Sequence, residues 1–197
     1  KILLAEDQSM VRGALAALLG MEDGFEITQA EDGDRAWLLM KQNSYDILLT
    51  DIEMPGRSGL ELAQWVLQQK FPTKTIIITT FGRAGYIRRA IDMGVAGFLL
   101  KDAPSEQLIE SIYKVMDGKR VIDGELAMMA LGEADPLNDK ERRALRLAAE
   151  GKTTAEIATV LCLSEGTVRN YLSEAIAKLH AANRVDAARI ARQKGWI

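Results

Sequence analysis

The 197-residue sequence predicts two folded domains, an α/β domain built on a parallel sheet and a smaller all-helical domain. Five short apolar segments alternate with helix-length amphipathic segments through the first 120 residues, which is typical of a parallel sheet covered by helices on both faces. A stretch rich in Gly, Asp and Pro then interrupts the pattern at 131–139. Residues 140–197 show helical periodicity only.

The five apolar segments are the predicted strands. Several of them are unbroken aliphatic stretches, as expected for strands that are buried on both faces. In chain order they are Ile2–Ala5, Phe25–Gln29, Ile47–Thr50, Thr75–Thr79 and Gly97–Leu100.

Helices are predicted between these strands and after the last one. Apolar residues recur at helical spacing within 11–19 and 60–67, and a further helix is expected over 84–93. The last helix of the domain is expected to begin at a capping Ser105, directly after Pro104, and to end near Gly118.

These patterns give three segments along the chain. Residues 1–118 form the α/β domain, 119–136 form a linker with a short helix, and 137–197 form the helical domain. The helical domain is predicted to contain helices near 139–150, 154–161, 165–179 and 184–194, preceded by the capping residues Asn138, Thr153, Ser164 and Asn183.

The charge of the chain is divided unequally between its two ends. Residues 1–122 carry 14 basic and 17 acidic residues, whereas 140–197 carry 11 basic and 6 acidic residues. A small basic domain favours a polyanion such as nucleic acid as its partner, although charge alone is equally consistent with an ordinary solvated face.

Composition excludes several classes of protein. The apolar content of 48% and the charged content of 27% are typical of globular domains rather than disordered chains. No apolar run approaches the roughly 18 residues of a membrane span, and the first residues do not resemble a signal peptide. Cys162 and His180 are the single cysteine and histidine, which excludes a disulfide framework and a structural zinc site. We therefore expect a cytoplasmic protein without membrane insertion.

Polar residues follow four of the predicted strands. Glu6 and Asp7 come after the first strand, Asp51 after the third, Thr79 closes the fourth and Lys101 follows the fifth. The carboxyl ends of parallel strands meet at one edge of the sheet, so these side chains are expected to converge. Two carboxylates ~4 Å apart repel by about 1 kcal/mol in water and ~4 kcal/mol at an effective dielectric of 20. The cluster therefore calls for a cation, and its oxygen ligands favour Mg²⁺.

Such a pocket suits phosphoryl chemistry. A carboxylate beside Mg²⁺ can attack phosphorus and form an acyl phosphate. Asp51 is the expected acceptor because it stands between the acidic pair and the two groups, Lys101 and Thr79, that can bond phosphoryl oxygens. Each residue alone is also consistent with a strand-end helix cap, but four strand ends that supply complementary groups favour a site.

The first domain resembles a bacterial response-regulator receiver. The resemblance lies in the segments Leu3–Asp7, Leu48–Gly56 with Gly59, Thr79 and Phe98–Asp102, whose order and spacing match throughout. It implies a flavodoxin-like, five-stranded, doubly wound sheet of order 2-1-3-4-5, for which the receiver fold is a standard example.

The same resemblance implies roles for individual residues. Asp51 would accept phosphate from a sensor histidine kinase, with Mg²⁺ held by Asp7, Asp51 and the backbone carbonyl of Glu53, and with Glu6 acting through water. Thr79 and Phe98 would be the hydroxyl and aromatic pair whose movement reports phosphorylation. Thr80 departs from the receiver pattern, which usually has a smaller residue at that position.

Within the helical domain, 154–161 and 165–179 have helix-turn-helix spacing. One face of the second helix is apolar and is predicted to be core. The opposite face carries small and polar side chains, which suits either close approach to a DNA major groove or simple exposure to solvent. These residues are Gly166, Asn170, Ser173 and Ala177, flanked by Arg169 and Lys178.

The helical domain is similar to LuxR-type DNA-binding domains. The similarity lies in Leu137–Glu141, Gly151, Glu156–Ala158, Gly166–Tyr171, Lys178–Leu179 and Asn183–Arg184. It implies that Arg169, Asn170 and Ser173 face bases, with Thr153 and Lys178 near phosphates and Thr167 also in the DNA-contacting set. Tyr171 and Ser173 stand where the family often has His and Lys.

Together the two resemblances indicate a two-component response regulator of the NarL/FixJ type. They imply a transcription factor that is phosphorylated by a histidine kinase, dimerises on phosphorylation, and binds an inverted-repeat site in double-stranded promoter DNA. No enzymatic turnover is expected. One rival is a phosphatase of the haloacid dehalogenase type, since Glu53 lies two residues after Asp51, although Asp51 follows two earlier strands. The other is a ligand-sensing transcription factor, which needs an apolar cavity.

Overall fold

The computed structural model describes residues 1–80, 83–130 and 135–197. They form an α/β unit, built from 1–80 and 86–130, and a mainly helical unit, built from 83–85 and 135–197. The strands of the α/β unit are β1 (Ile2–Ala5), β2 (Ile27–Ala30), β3 (Ile47–Asp51), β4 (Lys74–Thr79), β5 (Gly97–Leu100) and β6 (Val121–Ile122).

All of these strands are parallel, and their order in the sheet is β2-β1-β3-β4-β5-β6. The order 2-1-3-4-5 that the receiver resemblance implied is therefore present. The expectation of five strands is wrong, because β6 adds a sixth strand at the free edge of β5.

The sequence places residues 121–122 in the linker, because a two-residue strand is too short to produce a periodic signal. Backbone hydrogen bonds hold this segment on the sheet. The Val121 N–H donates to the carbonyl of Ala96 at 2.9 Å, and the Asp123 N–H donates to the carbonyl of Phe98 at 3.2 Å. The start of the expected linker is thus part of the α/β unit.

Helices cover both faces of the sheet. They are α1 (Ser9–Leu19), α2 (Gly33–Gln42), α3 (Gly59–Gln68), α4 (Ala84–Met93), α5 (Ser105–Met116) and the short α6 (Gly124–Met129). Residues of α1 and α5 pack in one apolar cluster with Ile2, Leu4 and Ile76, whereas α2, α3 and α4 pack against alternate strand residues such as Leu3 and Ile77. Successive residues of a strand point to opposite faces of the sheet, so the neighbours Leu3 and Leu4 belong to different clusters.

Several element boundaries differ from the predictions by one or two residues, and two of these differences have a clear physical reason. The second strand begins at Ile27 rather than Phe25, since Ile27 is the residue in register with Ile2. The expected Ser105 cap is also wrong. The N-cap position of α5 is Pro104, whose carbonyl accepts the first helical hydrogen bonds, so Ser105 is already helical and its hydroxyl contacts Glu106 instead.

The helical unit contains α7 (Asp139–Ala149), α8 (Thr154–Leu161), α9 (Glu165–Lys178) and α10 (Arg184–Lys194). Each of the four expected caps is confirmed, since the side chains of Asn138, Thr153, Ser164 and Asn183 accept hydrogen bonds from the first backbone N–H groups of the helices they precede. Residues 131–134 of the expected breaker-rich linker lie outside the described residues.

The helical unit has an apolar core of its own. Its buried side chains come from all four helices and from the last residues, and they include Leu145, Ile157, Val168, Ala187 and Trp196. Among the described residues, no helix combines the length and the apolar character that crossing a membrane requires.

Candidate functional site

Three carboxylates converge where β1 and β3 end. Oxygen atoms of Glu6, Asp7 and Asp51 lie within 4.8 Å of one another. Glu6 and Asp51 are buried, whereas Asp7 is exposed, so the cluster opens to solvent on one side. The predicted convergence of these residues is therefore confirmed.

Lys101, directly after β5, supplies the positive charge of the pocket. Its Nζ lies 2.6 Å from Oε2 of Glu6 and 2.8 Å from Oδ2 of Asp51, and its side chain is only 7% exposed. The other Asp51 oxygen, Oδ1, accepts a hydrogen bond of 2.7 Å from the backbone N–H of Ile52. Asp51 is thus held at both carboxylate oxygens at the edge of the sheet.

Burial shapes the electrostatics of these groups. Removal from water raises the pKa of Glu6 and of Asp51 above their ordinary values, and hydrogen bonds from Lys101 offset part of the increase. For Lys101, burial acts to lower the pKa, but the hydrogen bonds and charges of Asp51 and Glu6 outweigh it and raise the pKa. Burial therefore disfavours the ionised forms of Glu6 and Asp51, and an additional bound cation would stabilise them.

The donor set fits Mg²⁺. Three carboxylates supply only hard oxygen ligands, and exposed Asp7 leaves an open side where the ion can keep bound water, as Mg²⁺ does in proteins. One lysine cannot neutralise three ionised carboxylates. The structure therefore contains a pocket whose residues match the expected cation.

Close backbone approach sets the shape of the pocket beside Asp51. A side chain at Gly59, the first residue of α3, would place its Cβ 2.0 Å from the backbone oxygen of Asp51. Glycine is therefore required for α3 to start against the end of β3. Ser58 and Glu61 form a capping box at the same helix start, which fixes the chain after the loop.

The two residues predicted to form a switch lie on neighbouring strands. Thr79 ends β4 and is buried, and Phe98 in β5 is fully buried. Phe98 packs in the same apolar cluster as Tyr86 of α4 and Leu126 of α6. The Tyr86 hydroxyl donates a hydrogen bond of 3.1 Å to Oε1 of Glu53, so α4 is linked to the loop that follows Asp51.

In the helical unit, α8 and α9 form the predicted helix-turn-helix. Cys162 adopts a left-handed conformation with φ of 54°, and the Leu163 N–H then donates to the carbonyl of Ala158. The apolar face of α9 is buried in the core, as predicted, through Val168, Leu172, Ala175 and Leu179.

The opposite face of α9 is exposed along its length. Its exposed residues include Gly166, Arg169, Asn170, Ser173 and Ala177. Arg169 lies 3.7 Å from Glu165 one turn earlier, which is a weak pairing for an exposed couple. Small side chains interleaved with Arg and Asn leave the helix backbone accessible.

Known protein families match both units of the chain. A family model described as the response regulator receiver domain matches residues 2–113, and one described as bacterial regulatory proteins of the luxR family matches residues 135–191. The chain belongs to the LuxR-type response regulators. This response regulator is therefore a DNA-binding transcriptional regulator with an N-terminal receiver.

Relatives of this response regulator match it over its whole length. The transcriptional regulatory protein DesR of Bacillus subtilis (strain 168) is 46% identical over 197 residues, which cover 100% of this chain and 98% of DesR. The response regulator RamR of Streptomyces coelicolor is 35% identical and covers 100% of this chain and 97% of RamR.

Solved structures share the fold of this response regulator. The response regulator ChrA of a heme-sensing two-component system is 30% identical, with a TM-score of 0.56 and coverage of 100% of this chain and 98% of ChrA. RcsB of Salmonella enterica serovar Typhimurium, bound to the promoter rprA, is 22% identical, with a TM-score of 0.72 and 96% of each chain covered.

Two predicted DNA-contacting threonines of the response regulator have local partners. Thr153 caps α8, and its hydroxyl donates to Oε2 of Glu156 at 2.8 Å. The Thr167 hydroxyl lies 2.9 Å from that of Ser164, the cap of α9. Both lie at helix N-termini, where backbone N–H groups favour an anion.

Sequence reasoning missed two ion pairs in the helical unit of the response regulator. Lys178 Nζ lies 2.8 Å from both carboxylate oxygens of buried Glu141, and Arg142 Nη2 lies 2.6 Å from Oδ2 of Asp135. The available sequence signal for Glu141 is its position three residues after the Asn138 cap, where a glutamate completes a capping box. The partner of Glu141 could not be read from periodicity.

Proposed function

We propose that a sensor histidine kinase phosphorylates Asp51 of this response regulator and that the phosphorylated form dimerises and binds promoter DNA through α9. The observation that carries the proposal is the convergence of Glu6, Asp7, Asp51 and Lys101 at one sheet edge, in a chain that also carries a helix-turn-helix.

The residues of the pocket suit transfer of a phosphoryl group to Asp51. A carboxylate oxygen of Asp51 attacks phosphorus, a new O–P bond forms, and the N–P bond of the kinase phosphohistidine breaks with its electron pair returning to the imidazole. Lys101 binds Asp51 at 2.8 Å, and after transfer its ammonium can donate to the negatively charged phosphoryl oxygens instead. Thr79 supplies a hydroxyl from the end of the next strand.

Mg²⁺ would be held by Asp7, Asp51 and the backbone carbonyl of Glu53, with Glu6 acting through water, and it would neutralise phosphoryl oxygens. The product stays covalently attached to the chain, so each chain accepts one phosphoryl group and no substrate is turned over. A phosphatase of similar chemistry would release phosphate continuously.

Removal of Mg²⁺ is expected to prevent labelling of the wild-type protein. Acetyl phosphate is the donor and intact-mass spectrometry is the measurement. With an excess of chelator, the pocket carboxylates repel the anionic donor and the phosphoryl adduct should disappear. Adding Mg²⁺ beyond the chelator should restore it, and labelling that persists at full extent in chelator would contradict the metal assignment.

Phosphorylation is expected to convert the protein to a dimer. The phosphoryl group carries up to about 2 negative charges, and because it replaces the single charge of the Asp51 carboxylate, the pocket gains about one; Thr79 and Lys101 should draw the phosphoryl oxygens toward themselves. Phe98 and α4 then shift together because Phe98 packs with Tyr86. Sedimentation velocity should show the 21.7-kDa monomer give way to a species of twice that mass after phosphodonor treatment.

Asp51→Ala is the control for this measurement, because the same donor should leave its sedimentation unchanged. An identical monomer fraction of the wild type before and after treatment would contradict the dimer. A two-fold dimer implies a DNA site with two inverted half-sites about one helical turn apart.

The DNA surface that we propose consists of the exposed face of α9 and the adjacent helix starts. Arg169, Asn170 and Ser173 face bases, whereas Thr153 and Thr167 lie where helix N-termini can meet phosphates. Lys178, which the LuxR resemblance places near a phosphate, is bound to Glu141 in this structure.

A further inference from the structure

The recognition helix α9 ends on a lysine that is bound to a carboxylate of another helix. Lys178 Nζ is 2.8 Å from both Oε1 and Oε2 of Glu141 in α7. The Glu141 side chain is only 4% exposed, and that of Lys178 is 35% exposed. The ammonium is therefore directed at a buried acceptor.

Glu141 is itself held rigidly by its own helix. Its Oε2 accepts the backbone N–H of Asn138 at 2.9 Å, and the Asn138 side chain accepts the Glu141 N–H in return. Arg142 further ties this helix start to Asp135 and to the carbonyl of Leu137. The carboxylate that Lys178 meets is thus fixed to the framework of the helical unit.

Among the residues that the structure describes, the other contacts of α9 with the core are apolar. They involve Val168, Leu172 and Ala175, which bury apolar surface. Because the hydrophobic effect is non-directional, these contacts define the rotation of α9 about its own axis only loosely. A charge-assisted hydrogen bond to two oxygens is directional. The Lys178–Glu141 pair is therefore the polar contact that can fix the orientation of the exposed face.

We propose that Lys178 is a positioning residue whose ion pair with Glu141 orients α9 for base recognition, and that it does not neutralise a DNA phosphate. The inference rests on the proposed function of α9. Base-reading side chains need placement to within roughly 0.5 Å, which a helix anchored only by apolar contacts does not secure. Loss of the pair should therefore reduce discrimination between sequences.

The two roles of Lys178 predict different salt dependence. A lysine on a phosphate contributes about 0.9 to the slope of log K against log salt concentration and strengthens binding to all sequences alike. A positioning lysine leaves this slope unchanged and raises the preference for the target. A change at Glu141 distinguishes the two roles further. Removing the Glu141 charge would release Lys178, which could then bind a phosphate, so a phosphate-binding lysine would bind DNA at least as well as before.

The experiment uses the full-length protein after phosphodonor treatment. The probes are the duplex that the wild type selects from a randomised pool and a shuffled duplex of the same composition. Lys178→Met and Glu141→Gln are each expected to lower the ratio of target to shuffled affinity about tenfold, with the slope for Lys178→Met unchanged. Lys178→Arg should retain the wild-type ratio because guanidinium can also bind both oxygens.

Lys140→Met is the matched control, since Lys140 is exposed on the same helix as Glu141 and its loss removes one charge without breaking the pair. Thermal unfolding followed by circular dichroism defines a temperature at which every variant is folded. Glu141→Gln also keeps a side-chain oxygen that can accept the Asn138 N–H, so the start of α7 stays capped.

Three outcomes would overturn the proposals, and they are distinguishable. A Lys178→Met slope that is shallower by about 0.9 with an unchanged ratio overturns the positioning role alone. A ratio of target to shuffled affinity in Glu141→Gln equal to that of the wild type also overturns the positioning role alone. If the wild type selects no sequence and binds both duplexes equally, then the proposed DNA recognition fails and the positioning role fails with it.

Discussion

Asp51→Ala and Asp51→Asn are expected to abolish labelling of the protein by acetyl phosphate while leaving the fold intact. Asp51 is the buried carboxylate that Lys101 binds at 2.8 Å and that ends β3 beside Glu6 and Asp7. Neither alanine nor a neutral amide can form the acyl phosphate. Intact-mass spectrometry should show the phosphoryl adduct on the wild type and none on either variant.

Asp92→Asn is the control for charge loss, because Asp92 is an exposed carboxylate of α4. It should be labelled to the wild-type extent. A phosphoryl adduct on Asp51→Ala would show that another residue is the acceptor and would overturn the assignment.

The Asp51 variants also test the electrostatics of the pocket. Burial raises the pKa of Asp51, so its ionised form is less favourable in the folded than in the unfolded state. That cost is fully present above the folded-state pKa and declines as the pH falls through it. Without Mg²⁺ at pH 7, the urea midpoint of Asp51→Asn should therefore be higher than that of the wild type. The difference between the two midpoints should decrease as the pH is lowered.

Arg169→Ala and Asn170→Ala are expected to lose on the order of 1–3 kcal/mol of binding free energy on the target duplex, which is about 5- to 150-fold in affinity. Both side chains lie on the exposed face of α9, opposite the buried Val168 and Leu172. Arginine can bind a guanine edge and asparagine an adenine edge. Titrations against single-base variants of the target should show relaxed preference at one base pair for each variant.

Arg189→Ala supplies the matched control, since Arg189 is an exposed arginine of α10 whose guanidinium pairs with Asp186. It should retain target affinity within about threefold. Wild-type affinity and unchanged base preference in both α9 variants would show that α9 does not read the DNA.

The strands and the pocket of the α/β unit could be predicted from the sequence because their signals are local. Unbroken aliphatic runs mark strands that are buried on both faces, and the polar residue that follows each run must lie at the carboxyl edge of the sheet. Glu6, Asp51 and Lys101 follow from this rule alone, because each comes directly after or at the end of an aliphatic run. The capping residues of the helical unit were equally local, since a side-chain acceptor just before a helix bonds N–H groups within the next three residues.

The sixth strand and the start of α5 were not predictable in the same way. Val121 and Ile122 have no periodicity of their own and become a strand only because the edge of β5 offers hydrogen-bonding partners. Pro104 displaces Ser105 from the cap position because the first helical hydrogen bonds reach its carbonyl. Both outcomes depend on backbone partners that composition does not reveal.

The sequence by itself determined the first five strands, the charged residues that line the carboxylate pocket and the two faces of α9. Only the tertiary structure decided which charges pair. Lys178 flanks the helix face that the sequence assigned to DNA, yet its ammonium binds the buried Glu141, which is 37 residues earlier. Residue periodicity specifies the direction of a side chain within its own helix, whereas an ion pair between helices is set by how those helices pack.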